Sequence, residues 1–236
     1  QMDKRITRIV EWIKDYADQA EKDDLVVGVS GGVDSALTST LCCMTGLEVF
    51  AVTMPLKSSE EDEWMARAHL EWLDMKFPGK VHVTVLPLDE VFVEFEEAFR
   101  PKDYPVHPLR MLSEHVHASA NTKSRLRMVC LYHIAGCVDG LVVGTGNKVE
   151  DFGVGFFTKW GDGGVDLSPI GDLYKSEVRE LALELGILEE IVLQDPTDGL
   201  WEDGRTDEDQ LQMSYEDLER CMKGEVVGEE KKARYE

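Results

Sequence analysis

The sequence predicts an α/β domain built on a doubly wound, mostly parallel sheet with helices on both faces. Three observations carry that prediction. Short apolar runs alternate with amphipathic stretches at least three times, which is the order of βαβ units. Two of the apolar runs lead straight into glycine-containing turns, as strands do where a ligand is held at their carboxyl ends. The length, 236 residues, suits one such domain with a sizeable core, so residues 1–236 are read as a single domain.

The elements follow in order. Ile6, Ile9, Val10, Ile13 and Ala17 recur at helical spacing between charged residues, so 3–21 is an amphipathic helix. Residues 25–29 form the first strand and 36–44 a buried helix, which stops near Gly46. A second strand covers 49–54, closed by Pro55. Ser58 and Ser59 ahead of Glu61 and Asp62 start a helix that runs to about Met75. Residues 81–86 make a third strand, and 89–99 a short helix. The stretch 100–117, with Pro101, Pro105 and Pro108, reads as irregular. It holds His107, His115 and His117, an H-x-H pair without a third ligand at matching spacing. A long helix then covers 118–137, a fourth strand 141–144, a glycine-rich loop with Phe156, Phe157 and Trp160 spans 153–166, and a helix runs from 173 to 185. A last clear helix covers 214–222, and the charge-rich tail from about 223 reads as flexible.

Charge limits the partners. The formal net charge is −22, which repels nucleic acid. Residues 121–175 are locally neutral, with six basic and six acidic side chains, and suit an anionic small molecule. No charged-then-apolar leader and no apolar run long enough for a membrane span is present. Cys42, Cys43, Cys130, Cys137 and Cys221 lie in apolar helical stretches without a C-x-x-C pair, which fits a reducing cytoplasm.

The chemistry concentrates in Gly28-Val29-Ser30-Gly31-Gly32-Val33-Asp34-Ser35, between the first strand and its helix. Paired glycines let the chain take φ > 0 and bring backbone N–H groups against phosphate oxygens, while the helix presents its positive end to the same point. Ser30 and Ser35 add hydroxyls, and Asp34 adds a carboxylate suited to Mg²⁺. No Lys follows the second glycine, so the Walker A pattern is excluded. The fourth strand runs into Thr145-Gly146-Asn147-Lys148-Val149-Glu150, and the two strand ends are expected to face each other across one ATP. Lys175 sits in the first turn of its helix, against the dipole, which points to contact with an anion.

The Ser-Gly-Gly-x-Asp-Ser string resembles the PP-loop of the ATP pyrophosphatases, and so implies an adenine nucleotide alpha-hydrolase-like fold. Later segments narrow the resemblance. Asn121-Thr-Lys-Ser-Arg125-Leu-Arg127-Met128, Gly155-Phe-Phe-Thr-Lys159-Trp-Gly-Asp162-Gly-Gly-Val-Asp166 and Leu173-Tyr-Lys175 resemble ammonia-dependent NAD synthetase, over nearly all of 25–220. The resemblance implies a ligase that adenylates the carboxylate of deamido-NAD with ATP, releases pyrophosphate, and lets ammonia displace AMP to give NAD.

By motif match, Gly28 to Ser35 with Thr145, Lys175 and Thr197 bind ATP, Asp34 and Glu150 hold Mg²⁺, and Arg125, Lys159 and Asp166 bind deamido-NAD. Asp34, Lys159 and Lys175 are the implied catalytic groups, and Asp162 is a candidate to take a proton from ammonia. The resemblance further implies a cytoplasmic homodimer with no nucleic-acid or membrane partner. Ammonia is taken free or from a separate glutaminase, because no glutaminase pattern occurs in these residues.

Two departures stand out. The family usually carries a His-Lys pair near its C-terminus, whereas this sequence reads Arg234-Tyr235-Glu236, and Thr197 is followed by Asp198 instead of a small residue. The alternative is another PP-loop amidotransferase, such as the ATPase domain of a GMP synthetase.

Overall fold

The computed structural model describes residues 2–98, 111–197, 206–225 and 227–235. Four strands form one parallel sheet in the order β3-β2-β1-β4: β1 (Asp24–Gly28), β2 (Glu48–Thr53), β3 (Val81–Val85) and β4 (Leu141–Val143). Leu25 pairs with Val49 on one side and with Leu141 on the other. The chain winds outward from β1 to β3, then returns to place β4 on the opposite side of β1. That reversal makes the carboxyl ends of β1 and β4 the switch point of the sheet.

Alternating side chains divide the core between the two faces. Leu25, Val27, Val49, Ala51 and Val143 pack beneath α1 (Lys4–Gln19), α2 (Val33–Met44), α3 (Glu60–Lys76), α6 (Lys175–Glu184) and α7 (Glu189–Leu193). Val26, Val52 and Val142 face the other way, onto α4 (Asp89–Ala98) and α5 (Met111–Val138) through Phe92, Leu131 and Ala135. Ile6, Ile9, Ile13 and Ala17 are the buried stripe of α1, whose first turn is capped by Asp3 accepting from the Arg5 N–H. Ser59 caps α3 in the same way, with its hydroxyl accepting from the Asp62 N–H at 3.0 Å.

Three sequence expectations change. The long helix α5 begins at Met111, seven residues before the expected start, so His115 and His117 stand on a helix; His107 lies outside the described residues. Part of the expected glycine-rich loop is a π-helical turn, Val149–Val154, ended by Gly155 at φ 66°. The charged tail contains α10 (Glu229–Tyr235), tied to α9 (Tyr215–Met222) by Lys231 Nζ to Asp217 Oδ2 at 2.6 Å. A short helix α8 (Asp207–Leu211) precedes α9. Among the described residues no helix is long and apolar enough to cross a membrane.

Candidate functional site

A cleft of about 670 Å³ opens at the switch point, lined by the turn after β1, the segment after β4, and side chains from α3, α5 and α6. Its floor is the turn itself. Gly31 has φ +97°, and a Cβ there would stand 2.6 Å from the carbonyl oxygen of Asp62, so only glycine fits against the first turn of α3. The Ser30 N–H donates to Ser35 Oγ at 3.1 Å, and that hydroxyl donates to the Gly32 carbonyl at 2.9 Å. No side chain caps α2 at Gly32. The N–H groups of its first turn are therefore available to an anion, next to the helix's positive end.

Four side chains from three separate segments of the chain converge at this turn. Lys175 Nζ donates to Asp34 Oδ2 and lies 3.1 Å from Glu150 Oε1, and its side chain is only 3% exposed. Asn147, fully buried, donates from Nδ2 to Asp34 Oδ1 at 3.0 Å while its Oδ1 accepts from the N–H groups of Val149 and Glu150. It thereby fastens the strand β4 turn to the β1 turn. Gly146 lets the chain pass close by, since a Cβ at that position would meet the Asp151 carboxylate at 2.4 Å.

Electrostatics at this point are set by burial and by the cluster itself. Burial alone lowers the Lys175 pKa, but Asp34 and Glu150 outweigh it and hold the ammonium charged, well above the ordinary lysine range. Burial raises the Glu150 pKa, against the pull of Lys175. Asp151 is pushed up to about 6 by burial and then by Glu150. Asp207 also faces Lys175 and lies 3.2 Å from the Tyr215 hydroxyl. Three carboxylates against one ammonium leave the cluster negative, a charge that a divalent cation matches. Among the described residues no group of three or more His, Cys, Asp or Glu side chains forms a metal cage. Two carboxylates completed by substrate phosphates are the usual seat of Mg²⁺, and Asp34 with Glu150 fits that donor set.

The residues singled out from the sequence divide into two groups. Gly28, Val29, Ser30, Gly32, Val33 and Asp34 line the cleft, as do Ser35, Thr145, Glu150, Asp162, Lys175 and Thr197. Arg125, Lys159 and Asp166 are not among its lining residues, nor is Gly31, which lies against the first turn of α3. Arg125 Nε donates to the Lys159 carbonyl at 3.1 Å, and Lys159 Nζ lies 5.7 Å from the Trp160 ring centre. Asp166 accepts from the Val142 N–H at 2.8 Å and from the Tyr132 hydroxyl at 3.0 Å. Asp162 Oδ1 accepts from Ser124 Oγ at 2.8 Å and from the Thr158 N–H at 2.9 Å, which braces the glycine-rich loop on α5.

Asn147 and Tyr215 belong to the site although the sequence reading gave them no role. Asn147 stood inside a quoted motif, and its pairing with Asp34 spans 113 positions. Tyr215 stood inside Ser214-Tyr-Glu-Asp-Leu, a further string that carries the family resemblance, without a role of its own.

A family model described as NAD synthase matches residues 5–236. The chain belongs to the NAD synthase family. The NH(3)-dependent NAD(+) synthetase of Carboxydothermus hydrogenoformans is 39% identical over 221 residues, covering 93% of this chain and 85% of that protein. The enzyme of the same name from Mesoplasma florum is 37% identical, covering 96% and 86%. Among solved structures, an NMN synthetase from Francisella tularensis superposes with a TM-score of 0.87 at 28% identity, covering 98% of this chain and 90% of that one. An NH3-dependent NAD synthetase from Campylobacter jejuni gives 0.74 at 25% identity, covering 99% and 92%. In this member of the family the sheet opens on a cleft whose buried lysine bridges two carboxylates.

Proposed function

We propose that the protein is a ligase that uses ATP to amidate deamido-NAD with ammonia, giving NAD, AMP and pyrophosphate. The observation that carries this reading is Lys175 bridging Asp34 and Glu150 at the open N-terminus of α2. A carboxylate is a poor acyl donor until it is bonded to a better leaving group. In the first step a carboxylate oxygen of the acceptor forms a bond to the α-phosphorus of ATP, and the bond to the pyrophosphate oxygen breaks. In the second, ammonia bonds to the acyl carbon, AMP leaves, and the nitrogen gives up a proton.

The burden on the protein is to hold negative charge while the pyrophosphate departs. The N–H groups of residues 31–35 and the hydroxyls of Ser30 and Ser35 face that charge, and Lys175 moves its ammonium between carboxylate and phosphate. Asp34 and Glu150 would hold Mg²⁺, which supplies further neutralisation of the leaving pyrophosphate when bound. Thr145 and Thr197 line the nucleotide cleft, while Arg125, Lys159 and Asp166 serve the acceptor beyond it. Asp162, at the edge of the cleft, takes the role of proton acceptor for ammonia. Free ammonia or a separate glutaminase supplies the nitrogen, and the family resemblance implies a homodimer, which light scattering reads directly.

A second reading takes the mononucleotide acid as the acceptor, because the Francisella structure, with the higher TM-score of the two solved structures above, is named an NMN synthetase. One experiment decides. The protein is given Mg-ATP and ammonium with either deamido-NAD or nicotinate mononucleotide, and the products are separated. AMP, pyrophosphate and NAD in equal amounts, dependent on the dinucleotide, support the first reading. Faster turnover of the mononucleotide supports the second, and ADP formation overturns both.

A further inference from the structure

Helix α9 carries two side chains, one turn apart, that reach the cluster from outside the cleft wall. Tyr215 and Glu219 are 4% and 5% exposed. The Tyr215 hydroxyl lies 2.7 Å from Glu150 Oε1, and its ring centre is 4.8 Å from Lys175 Nζ. Glu219 accepts from the Ser176 N–H at 2.8 Å and from the Ser176 hydroxyl at 2.7 Å. Ser176 directly follows Lys175 on α6, so one face of α9 touches the backbone beside the lysine and the carboxylate the lysine pairs with.

We propose that Tyr215 is a positioning residue for Glu150, fixing which of its oxygens faces the cleft, and that α9 is the element that sets the Glu150–Lys175 pair. The inference rests on the assignment of Asp34 and Glu150 as the holders of Mg²⁺. A glutamate side chain has three rotatable bonds, and a metal-holding carboxylate gains affinity when partners outside the coordination sphere hold its orientation. Lys175 and Tyr215 both donate to Oε1, which leaves Oε2 for a cation. The tyrosine has one hydroxyl hydrogen for two carboxylates, and the shorter contact directs it to Glu150 rather than to Asp207.

Packing alone does not explain a tyrosine at this place. Met213 and Leu218 join Tyr215 and Val149 in one apolar cluster, and a phenylalanine ring would fill the same space. A hydroxyl placed among buried carboxylates costs desolvation unless it donates to one of them. Its presence is therefore an electrostatic choice, directed at Glu150.

The test compares Tyr215→Phe, Leu218→Ala and Glu150→Gln in the full chain. Protein-bound Mn²⁺ in the presence of ATP is read by electron paramagnetic resonance, alongside the Mg²⁺ needed for half-maximal AMP release and the melting temperature. Tyr215→Phe is expected to weaken Mn²⁺ binding about ten- to a hundredfold while the melting temperature stays close to that of the parent. Leu218→Ala, which removes packing from the same helix, is expected to lower the melting temperature and leave Mn²⁺ affinity within about twofold of the parent. Parent-like affinity in Tyr215→Phe, with affinity lost in Glu150→Gln, overturns the Tyr215 assignment alone. An equal loss in Tyr215→Phe and Leu218→Ala reduces Tyr215 to packing and also overturns it. Parent-like affinity in Glu150→Gln overturns the metal reading on which the inference stands. Because Mn²⁺ binding is read without the acceptor, the result is independent of which acceptor the enzyme amidates.

Discussion

Replacing Lys175 by Met tests the cluster at its centre. The substitution keeps an unbranched side chain of similar volume and removes the charge, leaving Asp34 and Glu150 without their shared ammonium at 16% and 17% side-chain exposure. Removing one partner of a buried ion pair costs about 3–5 kcal/mol. For a chain of this length that corresponds to a fall in melting temperature on the order of 10 °C. The loss has a definite pH dependence. Glu150 already sits above its ordinary value through burial, and without Lys175 it rises further. An acid whose folded pKa exceeds its unfolded one makes the folded state bind more protons, so stability falls as pH rises from the unfolded pKa through the folded one. The deficit relative to the parent is therefore smaller at pH 5 than at pH 8. The parent's own Lys175 has a raised folded pKa, and its contribution is complete below the ordinary lysine value and lost only as pH rises past the folded one. Thermal melts of both proteins at pH 5, 6.5 and 8, followed by circular dichroism, read the difference directly. Equal melting temperatures at pH 8, or a deficit that does not change with pH, would refute the reasoning. AMP release should be lost at every pH.

Gly31→Ala forces a side chain into φ +97° and against the Asp62 carbonyl. The backbone strain alone is worth about 1–3 kcal/mol, and weaker ATP binding should accompany a melting temperature lower by on the order of 5 °C; unchanged calorimetric ATP affinity would count against the phosphate role of the turn. His69 is fully buried on α3 beside Ser39, and burial pushes its pKa down to about 4. The unfolded chain binds a proton there that the folded chain refuses, so stability is complete above about 6.5 and falls as pH drops toward 4, by on the order of 3 kcal/mol. His69→Gln should flatten that part of the stability curve in denaturant titrations; an unaltered slope would remove His69 as its source.

Much of the fold was legible because its periodicities are local. The strands at 24–28, 48–53 and 81–85 lie within about one residue of the apolar runs that announced them, and Ser59 and Ser214 cap the helices they precede in the chain. The start of α5 was misplaced because Pro101, Pro105 and Pro108 argued for irregular chain as far as His117, whereas the helix already runs from Met111. The helix within the tail escaped notice because Glu229–Tyr235 has no apolar stripe, and its support comes from Asp217 and from Tyr235 packing near α9.

The site shows the same division. A lysine in the first turn of a helix announced an anionic neighbour, and the structure supplies two from its own chain, 141 and 25 positions away. Contacts such as Asn147 with Asp34 or Tyr215 with Glu150 depend on how the sheet closes, and no residue spacing encodes them.

Asp166 carries a consequence of a different kind. The segment that leaves the cleft ends there, and its backbone N–H donates to the Val142 carbonyl while its carboxylate takes the Val142 N–H. Leu167 then bridges to Val143 and accepts from the Gly144 N–H at 2.8 Å. β4 is the last strand on its side of the sheet, and an uncovered row of peptide groups there would invite another chain to pair with it. The loop that borders the cleft thus also blunts the sheet margin. Tyr16 and Tyr132 rivet that cover to α1 and α5 through the Asp166 carbonyl and carboxylate. Resistance to edge-to-edge aggregation and the footing of the glycine-rich loop depend on the same residue.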